Sequence, residues 1–127
     1  MDKIELKKII KGLNVLFVDD EQFVVETMKE ILPLIFNKTY FATNGYDGIS
    51  TFKENDIDLV ISDLSMPKIN GIDMAKQIKE IKNDTKIIFI SGHNENSYLE
   101  DANKLDAQFV IKPINSSELY QAIEKVL

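Results

Sequence analysis

Leu59-Val60-Ile61-Ser62-Asp63-Leu64-Ser65-Met66-Pro67 is a short apolar run that stops on a carboxylate and opens into a loop. A parallel strand buried on both faces reads as an unbroken run of this kind rather than as an alternation. Pro67 keeps the residues just before it out of helical geometry, so the run is expected to be a strand, then a loop, with Asp63 at the strand's carboxyl end. In open α/β sheets that end faces the crevice in which ligands bind. A second run, Val15-Leu16-Phe17-Val18, stops in the same way on Asp19-Asp20.

Working outward, the same alternation fills the chain. Gly12 separates a first segment, residues 1–13, from a strand over Asn14 to Val18. That segment, with Ile4, Leu6, Ile9, Ile10 and Leu13 among Lys and Glu, reads as a short lead-in helix or a frayed terminus, in preference to a partner-binding helix. Asp20 or Glu21 opens a helix with Val24, Met28, Ile31, Leu32 and Ile35 on its inner face, ended near Leu32 by Pro33. Thr39 to Ala42 is mixed in character, as an edge strand would be. Asn44-Gly45 turns into a helix that buries Ile49 and Phe52. After the loop from Pro67 to Gly71 comes a helix with Ile72, Ala75, Ile78 and Ile81 on one side. Lys86 to Ser91 is the fourth strand, Asn96 to Leu105 a polar helix, and Phe109 to Ile111 the fifth strand, which ends on Lys112-Pro113. Asn115-Ser116-Ser117-Glu118 caps a last helix that buries Leu119, Ala122, Ile123 and Val126.

Five strands alternating with helices imply right-handed crossovers and a parallel sheet covered on both faces. The expected fold is α/β, a flavodoxin-like (βα)5 doubly wound sandwich with strand order 2-1-3-4-5, residues 14–127 forming the domain. The length, 127 residues, suits one such domain. Composition narrows the function. There is no Cys, hence no disulfide framework or thiolate site. No apolar run is long enough to span a bilayer, and the first residues lack a signal peptide's apolar stretch, so a cytoplasmic protein without membrane contact is expected. The net charge is −6 and the basic residues are all Lys. Without Arg there is no bidentate fork for phosphate or guanine, which argues against direct nucleic-acid binding.

With that strand order, Asp19, Asp20, Asp63, Ser91 and Lys112 share one rim. Three carboxylates ~4 Å apart repel by about 4 kcal/mol per pair at an effective dielectric near 20, so the cluster calls for a cation. Mg²⁺ suits an open oxygen site that keeps waters and a phosphoryl oxygen. Asp63, at the centre, is then the expected phosphoryl acceptor, Asp19 and Asp20 hold the metal, Lys112 supplies a second positive charge and Ser91 a hydroxyl.

Val18-Asp19-Asp20-Glu21, Asp63 followed by Met66-Pro67 and Gly71, Ser91-Gly92, and Lys112-Pro113 together resemble the receiver domain of two-component response regulators, over residues 14 to 127. The resemblance implies that Asp63 takes a phosphoryl group from a sensor histidine kinase or a histidine phosphotransfer protein. It also implies that Asp20 binds Mg²⁺ directly, Asp19 largely through water, and that the Ser65 backbone carbonyl joins Asp63 among the ligands. Lys112 would pair with the phosphoryl group, and the bond to Pro113 would be cis. Ser91 and Phe109 would act as switch residues, repositioning the face made by the polar helix, the fifth strand and the last helix to regulate a downstream protein or an attached output domain. Phe109 lacks the hydroxyl that a Tyr would use. Ser65 would tune rates. His93 reads either as a rim residue governing water access or as an inconsequential exposed His. Asp106 stands where Gly often sits, before the fifth strand, and Asp tolerates the left-handed conformation better than most residues. Ala122 occupies the place of an Arg used in one dimer mode of the family, which argues against that mode.

Two other classes compete. A Mg²⁺-dependent phosphohydrolase working through an aspartyl phosphate would carry Asp-x-Asp after the first strand, where this chain has adjacent Asp residues. A flavodoxin-like cofactor binder would need a Ser/Thr- and Gly-rich turn there. Asp19-Asp20 taken alone could equally be a helix cap.

Overall fold

The computed structural model describes residues 1–92 and 96–127. Its elements run α1 (Lys3–Ile10), β1 (Asn14–Val18), α2 (Gln22–Ile31), a 3₁₀ turn (Leu32–Leu34), β2 (Lys38–Ala42), α3 (Gly45–Glu54), β3 (Leu59–Asp63), α4 (Gly71–Ile81), β4 (Lys86–Ser91), a 3₁₀ turn (Asn96–Tyr98), α5 (Leu99–Lys104), β5 (Gln108–Ile111) and α6 (Ser116–Val126). The five strands form one sheet, β2-β1-β3-β4-β5, and every neighbouring pair is parallel.

Because side chains alternate across a strand, each central strand feeds two cores. Leu16, Val18, Val60, Ile87 and Phe89 face α3 and α4 and pack with Ile49, Phe52, Ile72, Ala75 and Ile78. Val15, Phe17, Ile61, Ile88 and Ile90 face the other way, toward α2 and α6. Each fully buried Ile or Leu contributes roughly 1.5–3 kcal/mol of hydrophobic stabilisation. Apolar side chains on both faces explain why β1, β3 and β4 read as continuous runs. β2, at the edge, is only part-buried for most of its length.

The first segment is a formed helix. Asp2 Oδ1 accepts the Glu5 N–H at 2.9 Å and caps it, and Leu6 and Ile10 are buried in the α2/α6 core. Ile4 and Ile9 face solvent. Two inner faces differ from the expected ones. In α2 the buried residues are Val25 and Met28, whereas Val24 is only part-buried and Ile31 is 41% exposed. Three consecutive apolar residues, Phe23, Val24 and Val25, leave the helical phase undetermined by pattern alone. Ile81, the last residue of α4, is exposed as well. The polar helix expected over Asn96 to Leu105 is a 3₁₀ turn followed by the six residues of α5. Ala102 is its one buried side chain among the described residues. Among the described residues no helix is long and apolar enough to cross a membrane.

Candidate functional site

Backbone hydrogen bonds between neighbouring strand ends build the rim. The Asp19 N–H donates to the Ala42 carbonyl at 3.2 Å, Leu64 N–H to Ile90 at 3.3 Å, and Lys112 N–H to Ser91 at 2.9 Å. The last of these ties the residue after β5 to the end of β4, which sets where the Lys112 side chain starts. The Lys112–Pro113 peptide is cis. Behind Asp63 the chain doubles back: Gly71 N–H donates to the Leu64 carbonyl at 2.9 Å. A β-carbon on Gly71 would collide with the Asp63 carbonyl oxygen, so only Gly allows α4 to begin this close to the end of β3. Asn70 then caps α4 by accepting the Asp73 N–H at 2.9 Å.

Carboxylate oxygens of Asp19, Asp20 and Asp63 all lie within 4.8 Å of one another. Asp19 is fully buried and Asp63 nearly so, while Asp20 is exposed. Lys112 Nζ faces them from β5's end, 3.3 Å from Asp63 Oδ2 and 3.6 Å from Asp19 Oδ2. Of the rim residues foreseen, Asp19, Asp20 and Asp63 thus cluster, and Lys112 pairs with Asp19 and Asp63. Ser91, buried at the end of β4, follows the residue paired with Asp63. Ser65 is exposed on the loop two residues past Asp63. Phe109 sits opposite Phe89 in the sheet, their rings 5.9 Å apart and tilted by 42°. His93 lies outside the described residues.

Glu21 is the member that pattern reading left out of the site. Its Oε1 is 3.5 Å from Lys112 Nζ, and its N–H donates to Asp19 Oδ1 at 2.9 Å. The signal was its place directly after Asp19-Asp20, where it reads as a helix opening and as part of the Val18-Asp19-Asp20-Glu21 motif but carries no role at the rim.

Burial dominates the electrostatics. It pushes the Asp63 carboxyl up to about 6, against the attraction of Lys112 and with the repulsion of Asp19. Asp19 is raised as well, chiefly by burial, opposed by the Glu21 N–H and by Lys112. Burial pulls the Lys112 ammonium down, but attraction to Asp63, Asp19 and Glu21 outweighs it, and the net shift is upward. Among the described residues Asp19 Oδ2 is buried and accepts no hydrogen bond. A buried carboxylate oxygen left in that condition is costly. Oxygen donors of this number and charge fit a hard divalent cation, and Asp19 Oδ2 is the atom such a cation would satisfy.

Beside the rim, α2 and the residues after β5 enclose an apolar groove of about 450 Å³ lined by Val24, Met28, Ile31, Pro113 and Ile114, with Glu21 and Lys112 at its polar end.

The profile of the response regulator receiver domain matches residues 15–124. The chain is 35% identical over 117 residues to the chemotaxis protein CheY of Thermotoga maritima, covering 91% of this chain and 98% of that protein. It is 35% identical over 116 residues to CheY of Bacillus subtilis, covering 90% and 97%. A crystal structure of a response regulator receiver domain protein from Clostridium thermocellum superposes with a TM-score of 0.82 at 31% identity, over 90% of this chain and 93% of that one.

Proposed function

This chain belongs to the response regulator receiver domain family of two-component signalling systems, and we propose that its Asp63 is the phosphoacceptor of a Mg²⁺-dependent, cytoplasmic signalling switch. The observation that carries this reading is the cluster of three carboxylates from two strand ends, one of them with a buried oxygen that accepts no hydrogen bond, with the Lys112 ammonium paired to Asp19 and Asp63.

In the reaction, an Asp63 carboxylate oxygen forms a bond to phosphorus as the bond from phosphorus to the donor breaks. For a phosphohistidine on a sensor kinase or phosphotransfer protein, the leaving imidazole nitrogen keeps the bonding electron pair and takes a proton from solvent. Burial raises the Asp63 pKa to about 6 in the metal-free chain, still below neutral pH, so the carboxylate remains the majority form there. Lys112, 3.3 Å from Asp63 Oδ2 in the resting state, stands where it can pair with the arriving phosphoryl oxygens. Asp19, Asp20, Asp63 and the Ser65 carbonyl would hold Mg²⁺, which when bound neutralises charge on the moving phosphoryl group. The groove beside Lys112 is the surface we assign to the donor protein, because its polar end is part of the site itself.

Ser91 and Phe109 carry the output. Ser91 would hydrogen-bond a phosphoryl oxygen. Phe109, part-buried against Phe89, would change rotamer in response. The switched surface is the one formed by α5, β5 and α6, and it would be read by a downstream protein or an attached output domain. Phosphorylation shifts such an equilibrium only by the difference in contacts it makes in the two states.

Incubation with acetyl phosphate, with and without Mg²⁺, followed by intact mass measurement tests the assignment. One phosphoryl addition is expected, dependent on Mg²⁺ and absent in Asp63→Asn. Label retained in that variant would place the acceptor elsewhere.

A further inference from the structure

Lys112 Nζ is shared among three carboxylates, Asp63 at 3.3 Å, Glu21 at 3.5 Å and Asp19 at 3.6 Å. Asp63 and Asp19 are fixed by burial at the ends of strands. Glu21 differs: its side chain is 63% exposed, while its backbone is fastened by the N–H bond to Asp19 Oδ1. It is therefore anchored at the Cα and free to swing at the carboxylate. It also stands where the pocket opens into the apolar groove.

We propose that Glu21 is a positioning residue that restrains Lys112 and charges the mouth of the pocket negatively, so that it slows acceptance of an anionic phosphoryl donor. This rests on the reading of Asp63 as acceptor. An ammonium has three N–H donors and no acceptor, so a donor directed at Glu21 is not directed at an arriving phosphoryl oxygen. The charge count points the same way. Asp19, Asp20, Asp63 and Glu21 against Lys112 leave three negative charges, and a divalent cation leaves one. Neutralising Glu21 removes that last charge, and with it the repulsion of an anion from the mouth.

The test measures initial rates of phosphorylation by acetyl phosphate at saturating Mg²⁺ for wild type and Glu21→Gln across a series of KCl concentrations. Glu21→Gln keeps the shape and the backbone bond to Asp19 but not the charge. At low ionic strength it is expected to react about two- to fivefold faster, the range an exposed ion pair commands. The gain should fade toward 1 M salt, where the screening length is only ~3 Å. In a Lys112→Ala background the gain should shrink, because the restrained partner is gone. Equal or slower reaction at low salt, or a gain that salt leaves untouched, would overturn the proposal. A gain of full size without Lys112 would overturn the restraint and leave only charge at the mouth. If wild type itself takes up no phosphoryl group, the acceptor assignment fails first and Glu21 loses its role with it.

Discussion

The loop and helix after β3 and the loop and helix after β4 occupy equivalent places in the fold, yet the chain treats them differently. After Asp63 the backbone is pulled back by Gly71, capped by Asn70 and continued into eleven helical residues that bury Ile72, Met74, Ala75 and Ile78. Among the described residues after Ser91 the chain forms a 3₁₀ turn and six helical residues, with Ala102 buried and Tyr98 and Leu105 partly buried against the core. The proposed acceptor thus stands beside a helix that buries four side chains, and the proposed readout beside one that, among the described residues, buries one. A switch needs that division, since elements that move are drawn from the weakly held end of a structure.

The contrast breaks or holds on a pair of core substitutions. Ile78→Ala, at a fully buried position on α4, is expected to cost about 2–5 kcal/mol through lost transfer energy and the cavity left behind. Ala102→Gly on α5 should cost about 1–2 kcal/mol, the difference in helix propensity plus one buried methyl. Urea denaturation gives both values. Comparable costs would mean that α5 is as firmly integrated as α4. Hydrogen exchange refines the comparison, with α5 amides expected to exchange well before those of α4.

Asp63 sharpens it further, because the α4 side also carries an unfavourable charge. A carboxyl whose folded pKa is raised from 3.8 to about 6 costs stability when ionised. The full shift corresponds to about 3 kcal/mol. The sign is the reverse of an ordinary salt-bridged Asp: the cost is present above pH 6 and is relieved as pH falls from 6 toward 3.8. In EDTA, the melting temperature should therefore rise between pH 7 and pH 5, by about half of the full effect. Asp63→Asn should flatten this rise and stabilise the metal-free protein at pH 7. A melting temperature that falls over the same interval in EDTA would show that Lys112 compensates the buried charge completely.

Sequence reading reached the strand ends and lost detail where helices and loops carry the information. Apolar runs that stop on Asp19, Asp63 and Ser91 locate the rim because parallel strands buried on both faces leave no ambiguity of phase. The phase of α2 was ambiguous among Phe23, Val24 and Val25, and only the packing chose Val25. The helix at residues 3–10 was one of two open readings, since eight residues of modest amphipathicity acquire stability from Leu6 and Ile10 in the core rather than from propensity. Glu21 joined the site through a contact with Lys112, ninety-one positions away, that no local pattern encodes.

The turns beside these two helices also differ, and this gives the smallest effect. Among the described residues two non-glycine positions have positive φ: Lys68 at 72° in the loop after β3, and Asp106 at 55° in the turn between α5 and β5. Asp106 was readable as a left-handed position because Asp, like Asn, pays less there than other side chains. Lys68 carried no such signal, and its turn is tighter, closed by the Ile69 N–H donating to the Pro67 carbonyl at 2.9 Å across a single residue. A turn of that kind at positive φ is rare and strained, and it survives where surrounding packing fixes both ends. Here Met66 and Ile69 are buried on either side of it. Replacement by Gly removes the Cβ strain but loosens the unfolded chain, so the net gain is the strain less the added entropy. Lys68→Gly is expected to stabilise by about 0.5–1 kcal/mol, and Asp106→Gly by less, near zero. Chemical denaturation resolves the ordering, and a larger gain at Asp106 than at Lys68 would place the greater backbone strain beside α5.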